Sequence, residues 1–90
     1  MKEKKSNSVT SFQPEKITDE VSVEFTRVVD ASNTTINGML TKGGASVGDI
    51  SYDKTGDFLI TRIKPFSLLD ADEVSAVHAA VPEFIKEMLS

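Results

Sequence analysis

The chain has no cysteine and no tryptophan, and its 90 residues include only one histidine, one tyrosine and three prolines. Without cysteine, disulfides, thiolate chemistry and the common zinc-finger patterns are excluded. A small domain without disulfides fits a reducing compartment, or a partner chain that enlarges its core. A cytoplasmic location is therefore expected. No window approaches the ~20 apolar residues of a membrane span. The first residues, M-K-E-K-K-S-N-S-V, carry basic charge with no apolar run behind it, so no secretory signal is visible.

What is present suits one small globule. Ninety residues, 39% of them hydrophobic, are near the lower limit for a chain folding on its own core. The net charge of −4 is unevenly spread: residues 1–16 carry four lysines against two glutamates, and residues 17–90 six basic against twelve acidic residues. An acidic body repels phosphate backbones at long range.

Residues 1–16 are polar and aperiodic, and they predict a disordered, basic N-terminal arm ahead of a single domain over 17–90. From Val21 to Asp30 apolar residues fall at every second position, the mark of a half-buried strand, with Arg27 an intruder on its apolar side. Asp30-Ala31-Ser32-Asn33 supplies turn formers, a reading preferred to a hairpin at Asn37-Gly38 because it leaves strands of similar length. Strands then follow over Thr34 to Thr41, Ala45 to Asp53 and Asp57 to Lys64, the last ended by Pro65. Phe58-Leu59-Ile60 is apolar at both parities, which predicts a strand that is central or covered on both faces.

Asp70-Ala71-Asp72-Glu73 fits a helix N-cap with an acidic third residue, and Leu69 with Val74 a hydrophobic staple. The stripe Val74, Val77, Val81, Phe84, Ile85, Met88, Leu89 keeps its phase across Pro82, predicting one kinked helix. The expected fold is α+β: a four-stranded antiparallel meander, then one amphipathic helix packed on one sheet face.

Asp53-Lys54-Thr55-Gly56 is similar to the D-K-T-G of P-type ion pumps, in which the aspartate takes a phosphoryl group. In that family Thr and then Leu-Thr follow, and distant metal-binding motifs serve the transfer; here the fifth residue is Asp57 and no such motif exists. We read the stretch as a hairpin loop with Gly56 in the left-handed region and a bulge beside it. Asp49, Asp53 and Asp57 lack the spacing of a calcium loop and read as solvated acids. Lys42-Gly43-Gly44 precedes no helix, as a phosphate loop must, and reads as a hairpin tip. His78 stands beside the helix stripe with no nucleophile placed near it. Neither a catalytic constellation nor a cofactor is expected.

Arg27, Lys42, Arg62 and Lys64 all fall in or beside strands, and with Tyr52 they are the candidate contacts for a ligand or for single-stranded nucleic acid. In element order, four strands followed by a helix resembles the dimeric single-stranded-DNA-binding transcriptional coactivators, which implies a nucleic-acid-binding regulator using a basic sheet face. The leading expectation is different. One helix covers only one face of such a sheet, yet Val28, Met39 and Val47 stand at the opposite parity to Val23, Ile36 and Ile50. A non-enzymatic interaction module that pairs with itself accounts for that surplus.

Overall fold

The computed structural model describes residues 3–5, 8–30 and 33–89. Among these residues, seven antiparallel strands and one helix follow in the order β1 (Glu3–Lys5), β2 (Val9–Phe12), β3 (Glu15–Lys16), β4 (Val21–Asp30), β5 (Asn33–Lys42), β6 (Ala45–Asp53), β7 (Phe58–Ile63) and α1 (Ala71–Leu89). The sheet order is β1-β2-β4-β5-β6-β7, with β3 also pairing β4. The α+β class and the helix on one face agree with the sequence, but the sheet is wider than the four strands expected.

The extra width comes from the stretch read as an arm. Glu3–Lys5 pairs with β2, and from Val9 onward the stretch is part of the sheet, because Thr10 and Phe12 alternate inward and are both buried. Val9 pairs with Val28, Ser11 with Thr26 and Glu15 with Val23, so the register slips by one residue around Gln13-Pro14. Pro14 cannot donate to a ladder, and the slip breaks one long edge into β2 and β3. The rest of the expected arm, residues 1–2 and 6–7, lies outside the described residues.

The long β4–β5 ladder runs in unbroken register from Val21↔Lys42 to Asp30↔Asn33. The chain therefore reverses between Asp30 and Asn33, with Ala31 and Ser32 outside the described residues, and Asn37-Gly38 is interior to β5. Gly38 has another use: it faces Phe25, whose ring carbons lie 2.8 and 2.9 Å from where a Cβ would stand. The β5–β6 hairpin turns on Gly43 and Gly44, both at positive φ as a type I′ turn requires.

The inner face carries Phe12, Val21, Val23, Phe25, Ile36, Leu40, Ile50 and Tyr52, which pack against Val77, Val81, Ile85 and Met88 of α1. The Phe25 and Phe84 rings meet edge to face, 5.8 Å between centroids. Helix α1 runs unbroken through Pro82, which lies on its exposed side. Its start is a reciprocal capping box: Asp70 Oδ1 accepts the Glu73 N–H at 2.8 Å, and Glu73 Oε1 accepts the Asp70 N–H at 3.0 Å.

One expectation about parity changes. Leu40 pairs with Gly48 but Thr41 with Ser46, so Val47 is the extra residue of a bulge. The bulge turns Val47 into the core, where it is buried, and removes it from the opposite face. Val28 and Met39 do stand on that outer face, as expected, beside the polar row Ser11, Thr26, Asn37 and Ser51.

Candidate functional site

The five candidate contacts do not share a surface. Arg27 sits on the inner face, where its Nη1 donates to the Met88 carbonyl at 2.6 Å and its guanidinium lies 5.2 Å from the Phe12 ring centroid. A cation at a helix C-terminus complements the dipole, and a guanidinium over a ring gains from the π-face. Arg27 therefore fastens the end of α1 to the sheet.

Lys42 does the same at the other end. Its Nζ donates to Glu73 Oε1 at 2.7 Å and to the Leu68 carbonyl at 2.9 Å, and lies 3.6 Å from Glu20 Oε2. The hydrogen bond to Glu73 raises the Lys42 ammonium above its ordinary value despite partial burial. The same bond, helped by the Asp70 N–H, holds the Glu73 carboxyl below its own. Thr18, Asp19, Glu20, Asp70 and Asp72 line the open cleft around this clamp.

Tyr52 is buried in the core, and its hydroxyl donates to Asp57 Oδ1 at 3.1 Å. Burial, and then that hydrogen bond, raise the phenol above its ordinary value. Arg62 points to the outer face and pairs with Asp49 at 3.2 Å, both side chains mostly exposed. Lys64 is exposed just past β7. Of the five candidates, Arg62 and Lys64 are the exposed cations that remain available to a ligand.

The D-K-T-G stretch is a turn. The Asp53 carboxylate accepts the Thr55 N–H at 2.9 Å, and Asn33 Oδ1 accepts both the same N–H and the Thr55 hydroxyl. The Asp57 N–H closes the loop on the Lys54 carbonyl at 3.2 Å. Gly56 is not the left-handed residue; Asp57 is, at φ 48°. A four-residue loop built on a type I turn needs its positive φ at the last position, where an aspartate is tolerated. Among the described residues no group of three or more His, Cys, Asp or Glu is placed to hold a metal.

What does stand out is β7. The sheet order ends there, so the strand expected to be central is an edge. Phe58 is 60% exposed and Leu59 37%, on opposite faces of that edge. Beyond it the chain turns at Lys64-Pro65-Phe66-Ser67, with the Ser67 N–H on the Lys64 carbonyl and Phe66 at φ 58°. That is a type II geometry with a bulky residue where glycine is the norm, and it presents the Phe66 side chain fully to solvent. Period-two reading finds the apolar character of β7 but is blind to its place in the sheet. Among the described residues, no helix is long and apolar enough to cross a membrane. Compared with family models, with curated proteins and with solved structures, the chain matches none, so the coactivator likeness rests on element order alone.

Proposed function

We propose that this chain is a small, non-enzymatic interaction module that works as a homodimer. The observation that carries the reading is the exposed apolar edge at β7, where Phe58 and Leu59 lie open to solvent on a strand whose sequence asks for cover. Natural edge strands are commonly blunted by charge, proline or a bulge, and an unblunted one pairs with another chain. Asp53, the residue that invites a catalytic reading, has a structural partner: its carboxylate holds the turn by accepting the Thr55 N–H. The lack of cysteine supports placing the module in the cytoplasm.

Light scattering and a melting series test the reading together. A dimer at ~100 μM is expected, with a melting temperature that rises with protein concentration because folding and association are linked. A monomer with a concentration-independent melt overturns it. The runner-up, binding of single-stranded nucleic acid, keeps Arg62 and Lys64 but not Arg27 or Lys42, which are engaged with α1. Its signature is an affinity that falls steeply with salt.

A further inference from the structure

Resting on the homodimer reading, we infer that the second copy docks by antiparallel pairing of β7 with its counterpart, centred on Thr61, so that the two sheets become one. The backbone sets this register. The Lys64 N–H bonds the Val47 carbonyl and the Lys54 N–H the Thr34 carbonyl. Antiparallel ladders alternate, so both bonds assign the groups of Phe58, Ile60 and Arg62 to β6. The N–H and C=O groups of Leu59, Thr61 and Ile63 accordingly point away from the sheet. Pairing about Thr61 sets Thr61 opposite the partner's Thr61 and Leu59 opposite the partner's Ile63, and satisfies all three positions on each strand. A shift that centres on Ile60 instead sets Ile63 opposite the partner's Asp57, and the Asp57 N–H is already bonded to Lys54.

Side-chain character favours a second copy, and an antiparallel one. The β7 edge is polarised: Asp53 and Asp57 lie at its start, Arg62 and Lys64 at its end. Antiparallel pairing brings the basic end of each strand against the acidic end of the other, with Lys64 opposite the partner's Phe58 and next to the partner's Asp57. Leu59 and Ile63 then form apolar pairs on the helix side, where α1 leaves both partly exposed. The strand becomes interior to a joint sheet, which is the environment its two-sided apolar sequence demands. A parallel partner brings acidic ends together and forfeits these matches.

The test uses two variants, read by light scattering at ~100 μM with circular dichroism as the fold check. Thr61→Pro removes an N–H from the open edge and none from the ladder to β6, so the fold tolerates it and the apparent mass falls twofold. Thr61→Cys introduces the chain's sole thiol, and a hydrogen-bonded pair spaces its Cα atoms ~5.5 Å apart, within disulfide reach. Oxidation is expected to convert it to a covalent dimer near completion. If the parent is dimeric but Thr61→Pro stays dimeric, or Thr61→Cys fails to cross-link, the β7 interface is wrong while the homodimer reading stands. If the parent is monomeric, both fall. Should Thr61→Pro not fold, the cross-link alone decides.

Discussion

The middle of the sheet and its β7 edge are written in the same alphabet and end in opposite environments. Val23, Phe25, Ile36 and Leu40 are fully buried beneath α1, whereas Phe58 and Leu59, equally apolar, lie open. Phe58 lies on the outer face, which α1 does not cover, and Leu59 lies on the helix side at the sheet edge. Lys42 at one end and Arg27 at the other tie α1 to β5 and β4, and among the described residues no such tie reaches β7. An apolar pattern says that a side chain seeks cover; its face and its distance from α1 across the sheet decide whether it finds it.

The contrast breaks most severely at Phe25. Phe25→Ala empties the space between Gly38, Phe84 and the inner face, and a loss of ~3–5 kcal/mol is expected from denaturant unfolding. A loss below ~1 kcal/mol, the scale of an ordinary surface change, means the ring is not the centre of the core.

The fastening of α1 is sharpened by pH. The Glu73 carboxyl sits below its ordinary 4.5, so its contribution is present above that value and fades as pH falls through the lowered folded value. The Lys42 ammonium sits above 10.5, so its share is present below that value and fades as pH rises through the raised one. The stability gap between the parent and Lys42→Met should be flat through neutral pH and shrink below about 4.5. A gap unchanged at low pH removes the Lys42–Glu73 bond as its cause.

The smallest effect belongs to the edge. In dilute protein Phe58→Ser should alter stability by no more than ~0.5 kcal/mol, as for an exposed site. In concentrated protein it should flatten the rise of melting temperature with concentration. A large loss at high dilution shows that Phe58 serves the single chain.

Much of this was legible in the residues. Strand and hairpin boundaries, the Asp70 cap and the α1 stripe follow from local spacing, and local spacing is what periodicity measures. The misreadings share a cause: each depends on a contact distant in sequence or on a shift of one residue. Val9-Thr10-Ser11-Phe12 is too short and polar to read as a strand until β4 lies beside it. The bulge at Val47 reverses one side chain without disturbing the pattern around it. Arg27 was visible as the odd cation in an apolar row, and that position was the signal that it served the helix rather than a ligand. Lys42 carried no such sign, since Glu73 lies 31 residues away.

The two outer strands of the sheet differ in a way that bears on how far assembly proceeds. At one end β1 reads Glu-Lys-Lys, charged at every position, and Pro14 interrupts the ladder along β4 between β2 and β3. At the other end β7 carries one charge in six residues. Sheets with two adhesive edges grow without limit into fibres, whereas a self-complementary contact at one edge is exhausted once two copies meet. In the proposed pairing through β7, each end of the joint sheet would then be β1, whose three residues all carry charge in the sequence.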